Sequence, residues 1–279
     1  MMKRQLAGTR LGGVAMLWRD RLDLVRSAAT ESLSVGDLRN NALAGFLVTR
    51  LRRPGTAFVD VGAHIGSVIG EALRHAPGPA IAFEAVPAKA DHLKRHYPGI
   101  TVHNVALLDR DGELDFFVDN ARSGYSSLAS RPGDVTRITV KGARMDAILD
   151  RNDIDVMKID VEGAELGVLR GAEGVIGCNR PVVMFESGPG SEFGYTKEAI
   201  WRWFDNHEYQ VWVPDRITRA ARATTLEVFI DGHEYPRRTT NYFAIPAERL
   251  TEVSSRARAV LNDPPDWREW PAVGGSLIR

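Results

Sequence analysis

Apolar and polar positions change rhythm repeatedly from about residue 56 onward. TAFVDVG, at 56–62, is a short apolar run bounded by turn residues and predicts a buried strand. SVIGEALRH follows and predicts a helix. The change of period then recurs. AIAFEAV predicts a strand and AKADHLKRHY a helix; ITVHNVAL predicts a third strand. Charged DRDGE marks a turn before a further strand, ELDFFVD. RITVKGARMDAILD predicts a strand and a short helix, DVMKIDVEG an apolar strand ending in acids, AELGVLRGAEGVI a helix and PVVMFESG a strand. KEAIWRWFDNHEY predicts a helix with Ile200, Trp203, Phe204 and His207 on one face. TLEVFID and NYFAIP are expected to close the pattern as an antiparallel pair. Strands alternating with helices imply an α/β fold, a mostly parallel sheet covered on both faces.

No repeat or low-complexity linker interrupts this pattern. We therefore expect one domain over 41–250, a helical extension over 1–40 and a tail over 251–279. Met16, Leu17, Leu22, Leu24 and Val25 fit a short amphipathic helix flanked by arginines. Packing on the domain is the plain expectation, and contact with a membrane surface or lipidic substrate the alternative. Trp267 and Trp270 in the tail are expected to dock rather than stand in water.

Composition narrows the function classes. Basic and acidic side chains balance at 36 each, which leaves no basic footprint for nucleic acid. The single cysteine, Cys178, excludes an intramolecular disulfide and a cysteine zinc site, and a reducing cytoplasm is expected. The apolar run near the start is too short for a secretory leader, and no segment approaches the length of a membrane span.

The chemistry begins in FVDVGAHIG, a strand running into a Gly-rich turn. Gly62 and Gly66 let the backbone turn sharply and approach a ligand. Glu84 ends the next strand, 22 residues after Gly62, where a carboxylate can accept ribose hydroxyls. The set points to an adenosine-type cofactor. A dinucleotide needs bare backbone where this chain carries His64, so S-adenosylmethionine, which has no phosphate, fits better. His64 could bond the amino-acid part of that cofactor or orient a substrate hydroxyl. An NAD(P)-dependent oxidoreductase is the enzyme alternative, disfavoured by His64 and by the lack of a Tyr-x-x-x-Lys pair. A non-catalytic cofactor-binding protein is the other.

Acids gather at the carboxyl edge of the sheet. DVMKIDVEG ends in Asp160 and Glu162, with Lys158 on the face of Asp160, and PVVMFESG ends in Glu186. Acids there are costly unless solvated, paired or used. Asp160, Glu162, Glu186 and His64 are the catalytic candidates, with capping of the AELGVL helix as the structural alternative for the first two. Three carboxylates could also hold Mg²⁺. The adjacent lysine can neutralise them instead, so no metal ligand is assigned. His103 and His207 read as core or surface histidines. Arg216, Arg219 and Arg222 read as a solvated loop, with an anionic substrate group as the alternative. Trp201 is expected to pack rather than stack on a sugar.

Taken in order, FVDVGAHIG, AFEAVP, HNVALLDRDGELDFFV, SGYSSL, ARMDAILD, MKIDVEGAELGVLRGA and VVMFESG resemble the FkbM-like methyltransferases over roughly residues 40–246. The resemblance implies a class I, Rossmann-like fold: a seven-stranded sheet, mostly parallel, with an antiparallel last strand. It also implies O-methylation of a hydroxyl on a sugar, glycolipid, polysaccharide or polyketide-type natural product, with S-adenosylmethionine as methyl donor. Carried over, Asp60, Gly62, His64 and Gly66 line the methionine side of the cofactor and Glu84 takes the ribose. Asn104 and Ala106 border the adenine. Ser126 and Ser127 lie in a family loop near cofactor or substrate, unless they simply make a turn. Asp160 counts both as a cofactor contact and as a candidate catalyst. Many family members carry asparagine where this chain has His64.

Overall fold

A computed structural model describes residues 35–119, 128, 135–187, 195–217, 222–234 and 239–262. The apolar runs form the sheet as their patterning requires. β1 (Ala57–Val61), β2 (Ala80–Phe83) and β7 (Ile154–Ile159) are buried along their whole length, which is the mark of parallel strands covered on both faces. With β3 (Thr101–His103), β8 (Val182–Glu186), β9 (Tyr209–Trp212) and β10 (Asn241–Pro246) they make a seven-stranded sheet in the order β3-β2-β1-β7-β8-β10-β9. β10 is antiparallel to both of its neighbours.

Alternation along the strands divides the core in two. Val59, Val61, Met157, Ile159, Val183 and Phe185 face one side, under α4 (Glu165–Arg170), α5 (Glu173–Asn179), α6 (Lys197–Asn206) and α7 (Leu226–Asp231). Phe58, Val156, Val182 and Met184 face the other, under α1 (Val35–Val48), α2 (Ser67–His75) and α8 (Leu250–Asn262). α3 (Pro87–His96) covers β2 on that second side through Ala90 and Leu93. β4 (Ala106–Leu107), β5 (Gly112–Asp119) and β6 (Val135–Ala143) form a separate three-stranded sheet, order β4-β6-β5, inserted between β3 and β7. Among the described residues no helix is long and apolar enough to cross a membrane.

Three expected elements differ. TLEVFID is not a strand but helix α7, opened by the Thr225 side chain accepting from Val228 N and burying Phe229. A capping threonine outweighs the β-branched composition of the segment. The strand beside NYFAIP is instead YQVW, which begins at the last residue of the segment expected to be helical. ITVHNVAL divides after His103, its two halves entering different sheets. AELGVLRGAEGVI breaks into α4 and α5 at Gly171. A side chain at Gly171 would overlap the Leu108 carbonyl oxygen, so the break seats the helices on the inserted sheet.

Candidate active site

The turn after β1 owes its geometry to packing. Gly62, His64 and Gly66 all have positive φ, 76°, 54° and 84°. A Cβ at Gly62 would overlap the Asp160 carbonyl oxygen, and one at Gly66 would lie 2.7 Å from Leu93 Cδ2. The glycines therefore let the turn sit against β7 and α3, a packing constraint from inside the protein. Asparagine and histidine are among the few non-glycine residues that occupy left-handed backbone readily, so either suits position 64.

Glu84 ends β2 and is 5 % exposed. Its Oε2 accepts from His64 N and its Oε1 from Val86 N, both at 2.8 Å. Burial pushes this carboxyl above its usual range, against the pull of Lys89, the two N–H groups and Lys158. Lys89, in the first turn of α3, also lines the cleft and interacts with Glu84 and Glu162; burial lowers its ammonium. Asn104 spends its amide on the carbonyls of Glu84 and Ala85, at 2.8 and 2.9 Å, and so stands behind the cleft.

The acids at the ends of β7 and β8 do come together. Carboxylate oxygens of Asp160, Glu162 and Glu186 lie within 4.8 Å of one another. Lys158 Nζ stands 3.2 Å from Asp60 Oδ1 and 3.3 Å from Asp160 Oδ2, with Asp60 and Lys158 in cross-strand register. Burial alone would lower the Lys158 ammonium, yet these two carboxylates hold it above its ordinary value. Burial also pushes Asp160 up, but Lys158, a hydrogen bond from Glu186 and the His64 imidazole bring it below the usual carboxylate range. Glu186 moves the opposite way: burial and the Asp160 charge raise it, so Glu186 keeps the proton that the two share. The N-cap residue of α4 is Ala164, whose side chain makes no cap.

A further carboxyl supports this edge from beneath. Glu165 is fully buried; its Oε1 accepts from Gly163 N at 2.9 Å and its Oε2 from the Tyr195 hydroxyl at 3.0 Å. Tyr195 also donates to the Gly163 carbonyl. Burial lifts Glu165 to about 7. The contacts pin a loop in which Glu162 and Gly163 have positive φ, 56° and 109°.

These groups surround a cleft of about 590 Å³, counting its part open to solvent, over the ends of β1, β2 and β7. Gly62, His64, Glu84, Ala106, Asp160 and Glu162 line it. Asp60 lies beneath, Gly66 and Asn104 behind, and Glu186 beside Asp160. Ser126 and Ser127, like the N-terminal apolar residues, Arg219 and both tail tryptophans, lie outside the described residues. The sequence reading missed Lys89, Val105, Phe116 and Leu128, which also line the cleft. A lysine in a helix's first turn opposes the helix dipole, a legible sign that something else holds it there. Trp201 packs and donates to the Thr224 carbonyl, and His207 stacks on Trp203.

The cleft lies where the strand order reverses, between β1 and β7, which is where ligands bind in open α/β sheets. The family model described as the methyltransferase FkbM domain matches residues 60–211, more than half of the chain. The chain belongs to the FkbM methyltransferase family. Its sheet, with an antiparallel strand in the sixth place, is the class I methyltransferase fold. Among solved structures, a methyltransferase FkbM from Methylobacillus flagellatus KT is 18 % identical, with a TM-score of 0.44, covering 71 % of this chain and 47 % of that one. The chain thus spans about half the length of that relative. A geranyl diphosphate C-methyltransferase from Streptomyces coelicolor A3(2) is 12 % identical over 74 % of each chain, TM-score 0.40. A magnesium protoporphyrin IX methyltransferase from Synechocystis PCC 6803 with bound SAM is 10 % identical, covering 74 % of this chain and 76 % of that one, TM-score 0.39. At such identities none of them passes a substrate to this FkbM-family chain. No curated protein matches it.

Proposed function

We propose that the protein is an S-adenosylmethionine-dependent O-methyltransferase acting on a hydroxyl of a sugar, glycolipid, polysaccharide or polyketide-type natural product. The observation that carries this reading is one cleft with a buried ribose-type acceptor, Glu84, at one end and a charged Asp160 at the other. The residues fit the cofactor. Each Glu84 oxygen takes one backbone N–H and keeps a lone pair for a ribose hydroxyl. Ala106, with Val105, Phe116 and Leu128, offers an apolar border for adenine, and the Gly62–His64 turn flanks the methionine end.

S-adenosylmethionine supplies the activated methyl group when bound. The chain's own task is to hold an acceptor hydroxyl in line, which accounts for much of the acceleration of such a displacement. Asp160, ionised and a third exposed, takes the hydroxyl proton. Glu186, already protonated, donates to Asp160 and orients it. Lys158 on Asp160 opposes a divalent cation at this cluster, so we expect the reaction to need no metal and to persist in excess EDTA. We place the protein in the cytoplasm, consistent with its lone cysteine.

Calorimetry with S-adenosylhomocysteine and with NAD is the direct test. We expect binding of the first and none of the second; the reverse would return the protein to the oxidoreductase alternative.

A further inference from the structure

Lys158 lines no part of the cleft, yet it is bound to two parts that do. Its side chain is 7 % exposed; its ammonium donates to the Gly62 carbonyl at 3.1 Å and makes ion pairs with Asp60 Oδ1 at 3.2 Å and Asp160 Oδ2 at 3.3 Å. The acceptors belong to the cofactor turn, to β1 and to the end of β7. We infer that Lys158 is a positioning residue for methyl transfer, fixing the Asp160 carboxylate and the Gly62 turn in one register so that base and cofactor turn move as a unit. The inference rests on reading this cleft as a methyl-transfer site.

Asp60 explains why a lysine can do this without cancelling the base. Its oxygens have no aligned hydrogen bond among the described residues and its side chain is 1 % exposed; burial pushes this carboxyl above its usual range, and the Lys158 ammonium is the group that pulls it back. With two carboxylates sharing one ammonium, Asp160 keeps negative charge toward the cleft. The other groups facing Asp160 are His64 from the turn, Glu162 from its own loop, Glu165 from α4 and Glu186 from β8. Among the described residues, Lys158 is the cation in salt-bridge contact with Asp160. Removing it leaves acids and one imidazole, and Asp160 must then hold a proton more tightly. The lowered Asp160 and raised Lys158 agree with the geometry.

The test is a carboxyl-carbon NMR titration of the full chain labelled at aspartate, with Asp160 assigned from D160N, and calorimetry with S-adenosylhomocysteine alongside. In the wild type Asp160 should stay ionised to below the ordinary carboxylate range. In K158M its midpoint should rise by more than about one pH unit. Affinity for S-adenosylhomocysteine should fall about tenfold, the worth of one hydrogen bond to the turn. K158R should restore the charge but not the compact three-point geometry. Its titration should return toward wild type while its affinity stays low. If K158M does not fold, D60N/K158M removes the unpaired Asp60 and carries the same expectation. A wild-type Asp160 titrating in or above the ordinary range, or an unmoved midpoint without Lys158, overturns the inference. Full affinity in K158R overturns its positional part. Wild-type protein that ignores S-adenosylhomocysteine removes the methyl-transfer reading, while the titration still decides the hold of Lys158 on Asp160.

Discussion

Strand β7 carries a buried ionic cluster at each end, and the two are built on opposite accounts of charge. At its start, fully buried Asp155 is surrounded by cations. It accepts from Arg53 N at 2.6 Å and pairs with the Arg53 guanidinium at 2.8 Å, with Arg249 and, at 3.4 Å, with Arg256. Burial would raise this carboxyl, but the Arg53 N–H and the guanidiniums hold it below the usual range. At the other end one ammonium serves Asp60 and Asp160, with Glu186 and Glu162 beyond. There the shortage of positive charge is met by a proton kept on Glu186. An excess of partners leaves nothing to react and marks a brace. A deficit leaves a charged carboxylate beside a protonated one, which is what general acid–base chemistry requires.

Substitutions at the two ends should therefore fail in different ways. Asp160→Asn should fold and bind S-adenosylhomocysteine, while turnover falls by about 10²–10⁴, the usual worth of a general base. Steady-state rates with an accepted hydroxyl substrate check this, and near-normal turnover would hand the role to Glu162 or His64. Asp155→Asn should do the reverse. Breaking a buried pair costs about 3–5 kcal/mol, so its melting temperature should drop while affinity for S-adenosylhomocysteine holds. The pH dependence has a definite sign. A carboxyl depressed in the folded state stabilises fully above its unfolded value, near pH 4, and that stability is lost as pH falls through the folded value. Wild-type protein should therefore show an acid-limb loss below about pH 4 that Asp155→Asn lacks. Denaturant titrations from pH 2 to 7 would reveal a shared limb, which would move the brace elsewhere.

Glu84→Gln keeps one acceptor for a backbone N–H and loses the charge. Its affinity for S-adenosylhomocysteine should weaken by about 1.5–3 kcal/mol, and wild-type affinity by calorimetry would take Glu84 out of the ribose site. Alanine is the poorer probe, since it strands the N–H groups of both His64 and Val86. The smallest effect is expected from His64→Asn. Asparagine tolerates the left-handed backbone and keeps the N–H to Glu84, so activity should stay near wild type. A neutral-pH inflection lost in this variant, with a large drop in rate, would instead make the imidazole the base.

Much of this comparison was legible in the sequence because strand alternation is strict. Lys158 and Asp160 had to share a face, and acids ending apolar strands had to meet at one edge. Features set by distant packing were not legible. Gly62 is required by the close approach of the Asp160 carbonyl, and no local pattern says so. Asn104 is spent on two carbonyls of the preceding strand's exit. The brace at Asp155 draws on Arg53 from the loop before β1, Arg249 from the turn before α8 and Arg256 from α8 itself, three places that only the fold brings together. TLEVFID failed for a different reason: seven residues are too few for periodicity to separate strand from helix, and the Thr225 cap decided it.

The place of β10 carries a consequence for how the chain is made. Among the described residues it is the last strand in sequence, yet it enters between β8 and β9 and is the only strand that β9 pairs with. Until residues 241–246 have left the ribosome, β8 offers a naked edge and β9 has no sheet to join. Closure must wait for nearly the whole domain and for contacts far apart in sequence, which slows folding. The nascent chain thus passes through a stage in which the edge of β8 is open to any other β-edge nearby.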